Sequence, residues 1–335
     1  MPIRILTGDR PTGPLHLGHY VGSLTERLRF QNEGAECFII IADYQVMTDR
    51  TDVRDTEKNI YEVMFDYLAV GLDPFDSDKK TTIFVQSRVP QLADLFMFLS
   101  MVTPVAKVNR NPTVKEEAKA AHLGSKMSLG MLSYPVSQAA DILLFQPDYI
   151  PVGEDQLPHI EMTREIARSF NALYKETFKL PEAVVSNVPK LLGLDGSQKM
   201  SKSRNNAIYL SDGSDAIAKK IKTAVTDSGS EVTYDPARKP AVSSLMQIYK
   251  LASGHDFEAI EREFEGKGYG LFKVRLIEAL NHFLQPIRMR RQAFATDRGQ
   301  VAQMLRRGTN KAALEGTKTL QRVREAVTFD YSSIF

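Results

Sequence analysis

The feature that most constrains the fold is a continuous apolar run near position 40. Residues 38–42 read FIIIA, with no alternation of polar and apolar side chains. A strand of this kind is buried on both faces, as in a parallel sheet that is covered by helices on each side. Further strands are predicted at residues 3–6, 81–85 and 149–152. The first half of the chain therefore predicts a parallel α/β sheet.

Helical spacing of apolar residues fills the segments between these strands. In this half we predict a helix that ends near residue 30 and further helices at residues 60–70, 90–102, 131–145 and 156–174. Strands that alternate with helices favour a Rossmann-like, doubly wound parallel sheet.

The pattern changes after about residue 205, where strand signals fade. Helices are predicted at residues 215–223, 243–251, 256–264, 272–283, 286–307 and 311–328. We therefore expect two domains: a Rossmann-like catalytic domain over residues 1–204 and a mostly α-helical domain over residues 205–335.

Composition excludes some classes of protein. The net charge of +2 over 335 residues does not by itself indicate a nucleic-acid partner, so any RNA-binding surface would have to be a local patch of basic residues. Cys37 is the one cysteine, which excludes a disulfide within the chain and fits a reduced compartment. The chain shows neither a secretory signal nor a run of ~20 apolar residues, and we expect a cytoplasmic protein without membrane contact.

The first chemical motif is HLGH, in which His16 and His19 follow strand one at the start of a helix. A helix N-terminus at the carboxyl end of a parallel strand favours phosphate groups. Gly18 lets a nucleotide approach the backbone closely, and the two imidazoles can donate to phosphate oxygens. Two surface histidines beside a turn are the alternative. Zinc is less favoured, because no further ligands lie nearby in the sequence.

The second motif is KMSKS, residues 199–203, in a segment rich in Gly, Asp, Ser and Asn. Lys199 and Lys202 on such a loop suit a mobile cationic clamp, which stabilises the negative charge that builds on a departing pyrophosphate. A solvated basic loop is the alternative for this motif taken alone.

Together the two motifs resemble those of the class I aminoacyl-tRNA synthetases. More specifically, the chain resembles the bacterial tryptophanyl-tRNA synthetases over nearly its whole length. The segments that carry this resemblance are TGDRPTGPLHLGHYVGSL, YPVSQAADIL, VGEDQLPHIEMTREIARSFN, GSQKMSKS, AVTDS and FEGKGYG. The resemblance implies a homodimer that uses ATP with Mg²⁺, activates L-tryptophan and transfers it to tRNA(Trp). The helical second domain would then bind the anticodon.

The resemblance also implies an ATP site. Catalytic roles fall on His16, His19, Lys199 and Lys202. The nucleotide would be bound by Arg10, Pro11, Thr12, Gly18, His19, Gly153, Glu154, Asp155, Leu192, Lys199, Met200, Ser201, Lys202 and Ser203. Magnesium would bridge the phosphates, mostly through water and phosphate oxygens, so no protein ligand is assigned.

In the implied amino-acid pocket, Asp141 accepts a hydrogen bond from the indole N–H, and Tyr134 and Gln156 hold the α-amino group. Tyr134 and Asp141 are seven residues apart, so one helix can present both from one face. An aspartate inside AADILLF is expensive to bury unpaired, which favours a ligand partner over a local helix contact.

The sequence departs from the commonest family pattern at three expected substrate contacts. Arg10 stands where many members have Gln, Gln45 where many have His, and Gln138 where many have Met. These departures leave the two motifs untouched but change the expected details of substrate contact.

Three alternatives stay open at this point. A tyrosyl-tRNA synthetase shares the fold and both motifs. A non-catalytic synthetase-like RNA-binding protein shares the fold, although such relatives often lose a motif histidine or lysine. A small-molecule adenylyltransferase would share only the HxGH motif.

Two kinds of partner surface are also expected. The basic residues of the second half either contact tRNA phosphates or form a solvated helix face; they include Arg288, Arg290, Arg291, Arg298, Arg306, Arg307 and Lys311. The apolar segments 95–105 and 131–145 either form a dimer interface or belong to an ordinary core.

Overall fold

The computed structural model describes residues 2–48, 50–120, 127–185, 191–331 and 334. Its centre is a five-stranded sheet in the order β3-β2-β1-β4-β5, with every pairing parallel. The strands are β1 (Arg4–Asp9), β2 (Glu36–Ile41), β3 (Thr81–Val85), β4 (Tyr149–Val152) and β5 (Glu182–Val185).

Helices connect the strands and form most of the second half. Those within the sheet region are α1 (Leu17–His19), α2 (Thr25–Asn32), α3 (Thr56–Val70), α4 (Gln91–Met101), α5 (Val105–Arg110), α6 (Pro112–Ala120), α7 (Leu129–Phe145) and α8 (Leu157–Leu173). Those that follow are α9 (Ser214–Thr223), α10 (Pro240–Ser253), α11 (Phe257–Phe264), α12 (Gly268–Thr296) and α13 (Arg298–Ala326). A π-helical turn, Tyr20–Leu24, joins α1 to α2.

The buried strands alternate their side chains between two cores. Ile39 and Ile83 point to a core that includes α3, α10 and α12. Phe38 and Phe84 point to the opposite core, which includes α4, α7 and α8. Helices thus cover both faces of the parallel sheet, which confirms the doubly wound fold class predicted from the apolar run in β2.

The strand order reverses direction between β1 and β4. In open α/β sheets the crevice outside the carboxyl ends of the strands at such a point is where ligands bind. The loop after β1 leads through Arg10 to His16, and the loop after β4 begins at Gly153. The topology therefore brings two of the three predicted nucleotide-binding segments to one crevice.

The prediction for the end of the chain is wrong in its boundaries. Three helices were expected at 272–283, 286–307 and 311–328, but α12 and α13 each run for 29 residues and meet at Asp297. Pro286 lies inside α12. The buried residues Leu280, Leu284 and Ile287 form one apolar stripe along the helix on both sides of the proline, and their packing offsets the cost of a proline in the helix interior. Asp297 caps α13 by accepting a hydrogen bond from the backbone N–H of Gln300.

The sequence also gave no signal for three elements of the first half. Helices α5 and α6 and strand β5 are short, and β5 has no fully buried residue. An apolar pattern that is weak and brief carries little periodicity, which explains why these elements were missed.

The last helix returns to the sheet. A Cβ atom on Gly308 would clash with the carbonyl oxygen of Ile83, so only a glycine allows α13 to approach β3 this closely. The hydroxyl of Thr309 accepts a hydrogen bond from the backbone N–H of Val85 at 3.3 Å. Among the described helices, none is long and apolar enough to cross a lipid bilayer.

Candidate active site

Two neighbouring cavities occupy the crevice between β1 and β4. The larger, which we call the outer cavity, has a volume of about 980 Å³. The smaller, the inner cavity, has a volume of about 350 Å³. Both are lined by Arg10, Gly22, Ser23 and Gly153, so they share a wall.

The outer cavity collects most of the predicted nucleotide-binding residues. Its wall includes Arg10, Thr12, His16, Gly18, His19, Gly153, Glu154, Asp155, Lys199, Met200, Ser201, Lys202 and Ser203. Two predicted residues do not line this cavity: Pro11 is buried, and Leu192 forms a β-bridge with the lining residue Lys199. Arg50 adds a cation to the wall that the sequence analysis did not single out.

The two histidines of HLGH cap their own helix. The Nδ1 atom of His16 accepts the backbone N–H of Gly18 at 3.1 Å, and Nδ1 of His19 accepts the backbone N–H of His16 at 3.2 Å. A backbone N–H can only donate, so both Nδ1 atoms carry lone pairs and each neutral ring carries its proton on Nε2. Both rings can therefore donate an N–H to an anion in the cavity.

The pKa values of the histidines support this protonation. Burial and repulsion from His19 and Lys202 lower the pKa of His16 to about 2. Burial likewise lowers the pKa of His19 to about 4, against the attraction of Asp9. The ring centroids lie 3.8 Å apart, and a Cβ atom on Gly18 would come within 2.9 Å of the His16 ring. Gly18 therefore leaves room for a pair of neutral hydrogen-bond donors.

The KMSKS loop closes against the loop after β1. The Nζ atom of Lys202 donates to the carbonyl oxygen of Gly13 at 2.6 Å and lies 3.4 Å from the hydroxyl of Thr12. Burial lowers the pKa of Lys202 to about 8, against the attraction of Asp9 and Asp66. This lysine is thus a partly desolvated cation that faces the histidine pair, whereas Lys199 is exposed at the rim.

A buried ion pair supports the floor of the crevice. Asp9, the last residue of β1, accepts hydrogen bonds from Arg27 at 2.7 Å and from the hydroxyl of Tyr67 at 2.7 Å. Burial alone would raise the pKa of Asp9, but attraction from Arg27 and His19 outweighs burial and holds that pKa far below its usual range. Asp9 therefore remains ionised, and its charge offsets part of the positive charge around the outer cavity.

A second buried carboxylate anchors the histidine loop from below. Asp66 in α3 accepts the backbone N–H of Leu15 at 2.6 Å and the Nε–H of Arg291 at 2.8 Å. Arg291 also pairs with Glu62. Leu15 in turn accepts the backbone N–H of Leu210 at 3.0 Å. Helix α12 and the segment near residue 210 therefore both hold the loop that presents His16.

The inner cavity contains all five residues predicted for the amino-acid site, namely Asp141, Tyr134, Gln156, Gln138 and Gln45. Asp141 and Tyr134 both lie on α7 and both reach this cavity, as their seven-residue spacing suggested. Asp141 is 5% exposed, which places a buried carboxylate at the wall of this cavity, whose other charged lining residues are Arg10 and the ion-paired Asp9 and Arg27.

Asp141 has a protein partner that the sequence analysis missed. The side-chain amide of Gln86 donates to both carboxylate oxygens, at 2.9 and 2.8 Å. Burial nevertheless raises the pKa of Asp141 to about 7, with the Gln86 hydrogen bond opposing the shift. Gln86 follows β3, and only its place at a strand's carboxyl end could have drawn attention to it from sequence.

The three unusual positions lie close to one another. A guanidinium nitrogen of Arg10 donates to the backbone oxygen of Gln45 at 3.4 Å, and the amide of Gln45 donates to Ser137 at 3.4 Å. Gln138 lines the same inner cavity. The departures from the family pattern are therefore clustered in space at the junction of the two cavities.

These features define a class of protein: an enzyme with the Rossmann-like fold of the class I aminoacyl-tRNA synthetases, with paired neutral histidines and a lysine loop at the switch point of the sheet. The chain belongs to the family described as tRNA synthetases class I (W and Y), whose model matches residues 1–285.

Relatives within this family are similar over almost their whole length. The tryptophan–tRNA ligase of Streptococcus pyogenes is 43% identical over 338 residues, which covers 98% of each chain. The crystal structure of the tryptophanyl-tRNA synthetase from Mycoplasma pneumoniae, 29% identical, superposes with a TM-score of 0.86 and full coverage of both chains. That of the Campylobacter jejuni enzyme complexed with ADP and tryptophan is 31% identical, with a TM-score of 0.82 over 97% of this chain and 100% of that one.

The tyrosyl branch is more distant. A tyrosyl-tRNA synthetase from Archaeoglobus fulgidus is 20% identical and covers 87% of this chain and 90% of its own, with a TM-score of 0.67. At this identity the similarity shows a shared fold alone. A shared fold was one of the reasons why the sequence left a tyrosyl-tRNA synthetase open as an alternative.

Proposed function

We propose that this chain is a tryptophan–tRNA ligase: it activates L-tryptophan with ATP and transfers the amino acid to the 3′ end of tRNA(Trp). The observation that carries the proposal is the buried carboxylate of Asp141, which faces a small cavity that opens beside the histidine and lysine motifs. An ionised carboxylate held there accepts the indole N–H, and a ligand without that N–H leaves the buried carboxylate with the Gln86 amide alone to offset the cost of its burial.

ATP fits the outer cavity in size and charge. The Nε2–H groups of His16 and His19 and the ammonium of Lys202 face this cavity, and Lys199 and Arg50 stand at its wall. Donors and cations of this kind stabilise charge on the phosphates as it moves toward pyrophosphate. The adenosine would lie along the segments that begin at Arg10 and Gly153.

The first step needs no protein nucleophile. A carboxylate oxygen of tryptophan attacks the α-phosphorus, the bond from that phosphorus to the bridging oxygen breaks, and pyrophosphate leaves. In the second step a hydroxyl of the terminal ribose of tRNA attacks the activated carbonyl, and AMP leaves. The protein positions the reactants and stabilises the developing charge.

Magnesium is proposed as the counter-ion of ATP. Among the described residues, no three His, Cys, Asp or Glu side chains come together as a metal site. The cationic wall of the outer cavity fits an ion that is held by phosphates and water rather than by a protein cage. When bound, the ion would neutralise phosphate charge.

The division of labour along the chain remains part of the proposal. Residues 1–204 form the catalytic domain and residues 205–335 the anticodon-binding domain, in a cytoplasmic enzyme. Three arginines of α12 are used within the protein: Arg288 bonds to Asp212, Arg290 to Ala69 and Arg291 to Asp66. These contacts favour a structural role for the three arginines. Contacts with tRNA phosphates would then be made by the other basic residues of residues 205–335.

A homodimer is supported by exposed apolar side chains on α4, α5 and α7. Met97, Met101, Val105 and Leu129 are each more than half exposed, although they sit on neighbouring helices. Large apolar side chains grouped at a surface mark a protein interface. Sedimentation analysis of the wild type and of Met101→Glu tests this assignment, with a dimer expected only for the wild type.

The proposed activity is tested by ATP–pyrophosphate exchange with a panel of amino acids, followed by charging of tRNA(Trp). Exchange is expected with tryptophan and at least 10⁴-fold less with phenylalanine, which has no ring N–H to offer Asp141. Tyrosine is the decisive comparison, and exchange with tyrosine equal to that with tryptophan would refute the proposal.

A further inference from the structure

A buried row of polar side chains lies behind Tyr134. His159 in α8 is 1% exposed and Asn111, which precedes α6, is 5% exposed. The hydroxyl of Tyr134 lies 3.0 Å from Nε2 of His159, and the amide nitrogen of Asn111 lies 3.3 Å from Nδ1 of the same ring. Both ring nitrogens of His159 are thus used within the protein.

The orientation of the Asn111 amide follows from its other contact. The backbone N–H of Thr113 donates to Oδ1 of Asn111 at 3.0 Å. Since a backbone N–H can only donate, the atom that it meets is the amide oxygen. The NH₂ group of Asn111 therefore faces Nδ1 of His159.

This orientation determines the tautomer of His159. An NH₂ group donates, so Nδ1 must accept and cannot carry a proton. Burial lowers the pKa of His159 to about 4, against the attraction of Asp155, and the ring is neutral at physiological pH. Its single proton is on Nε2, which donates to the hydroxyl oxygen of Tyr134.

The same row reaches the second residue assigned to the α-amino group. The hydroxyl of Thr113 donates to the backbone oxygen of Asp155 at 3.3 Å, in the short helical turn Glu154–Gln156. Gln156 and Tyr134 both line the inner cavity. One buried framework therefore supports both side chains that would receive the ammonium of an amino acid.

We propose that His159 is a positioning residue for the α-ammonium group of tryptophan, and that Asn111 fixes the His159 tautomer in which the Nε2–H group donates to Tyr134. This inference rests on the proposed function, because it specifies how the same cavity recognises the head group. His159 acts through Tyr134, so its loss alters amino-acid affinity more than it alters the chemical step.

The test uses the full-length protein with His159→Leu and His159→Gln. The chain contains no tryptophan, so the fluorescence anisotropy of bound tryptophan, excited at the red edge where tyrosine does not absorb, reports binding without a background from protein tryptophans. We expect His159→Leu to weaken tryptophan binding about tenfold, which corresponds to the net free energy of one hydrogen bond. His159→Gln should recover most of the affinity, because its amide can donate in place of Nε2–H.

Indole-3-propionate separates positioning from packing, because it keeps the ring and carboxylate but lacks the ammonium. Its affinity should stay within twofold in all three proteins. Equal weakening of tryptophan and indole-3-propionate by His159→Leu would overturn the inference, as would an unchanged affinity for tryptophan.

A second measurement reads the tautomer of His159 directly in the wild-type protein. ¹⁵N NMR of the wild type, with His159→Gln used only to assign the signals, should show an unprotonated Nδ1 and a protonated Nε2, and Asn111→Leu should remove this preference. A protonated Nδ1 in the wild type contradicts the inference. Failure of the wild type to bind tryptophan or to catalyse exchange would instead count against the proposed function.

Discussion

The ammonium nitrogen of Lys202 and the carbonyl oxygen of Gly13 are 2.6 Å apart, although 189 residues separate them in the chain. The contact ties the KMSKS loop to the loop after β1. Because Lys202 lines the same cavity as the histidine pair, its ammonium is placed to stabilise the charge that we propose develops on phosphate groups bound there.

We expect Lys202→Ala to reduce the turnover number of tryptophan-dependent pyrophosphate exchange by about 10²–10³-fold, because a cation that stabilises the transition state is lost. Tryptophan affinity, measured by ligand fluorescence, should change less than twofold. Lys179→Ala is a matched control, since Lys179 is an exposed lysine paired with Asp148. Equal losses of tryptophan binding and turnover would contradict a transition-state role for Lys202.

The pH dependence of kcat/KM for ATP, at saturating tryptophan, should show a falling limb near pH 8. Lys202 has a pKa of about 8 and acts as a cation, so the active form is lost as the pH rises through that value. Lys202→Arg should keep its rate to higher pH because arginine stays protonated. His16 and His19, neutral above about pH 2 and pH 4, should add no limb between pH 5 and 7.

Tryptophan affinity should fall as the pH drops below about 7. Asp141 has a pKa raised to about 7, and only its ionised form is a full acceptor for the indole N–H. The dissociation constant is expected to rise toward tenfold per pH unit below that value. Asp141→Asn should bind tryptophan weakly at every pH between 5 and 8, and an unchanged pH slope in this variant would assign the titration to another group.

The same carboxylate should destabilise the folded protein above neutral pH. Its pKa is raised on folding, from an unfolded value near 4 to about 7, so stability is lost as the pH rises through that window. Asp141→Asn removes the buried charge and should raise the free energy of unfolding by about 2 kcal/mol at pH 8, with little change at pH 4. Urea titrations at both values measure this, and a less stable variant at pH 8 would argue against a charge that is costly to bury.

Arg291→Met should destabilise the protein by about 3 kcal/mol, because it leaves Asp66 buried without its cationic partner. The double variant Asp66→Asn/Arg291→Met should recover at least half of that loss. A double-mutant cycle from urea unfolding gives the coupling. If the two single substitutions changed the free energy of unfolding strictly additively, the Asp66–Arg291 pair would not couple α12 to the loop that presents His16.

Much of the fold was readable from local patterns. The apolar run of β2 predicted a parallel sheet, and the strands at 81–85 and 149–152 have the expected bounds. The sequence predicted a helix boundary at Pro286, because helix propensity reflects only local residues. In the structure α12 continues through the proline, because the apolar side chains on either side of it are buried by tertiary packing.

The site divides in the same way. Asp141 and Tyr134 share one helix, so their common direction followed from spacing alone. Gln86 is 55 residues from Asp141 and lies in the turn after β3, and His159 meets Tyr134 only through the packing of α8 on α7. The groups that we propose to contact substrate could be named from the sequence, but the side chains that orient them depend on the three-dimensional arrangement.

The seating of α13 on β3 has a consequence for synthesis of the protein. β3 is an outer strand of the sheet, and Gly308 and Thr309 contact its backbone directly. A growing polypeptide reaches residue 308 long after the motif histidines have left the ribosome. Until then the sheet lacks helix α13 against β3. A chain that stops before residue 308 therefore contains both motifs, but the backbone of β3 is exposed and can associate with other chains.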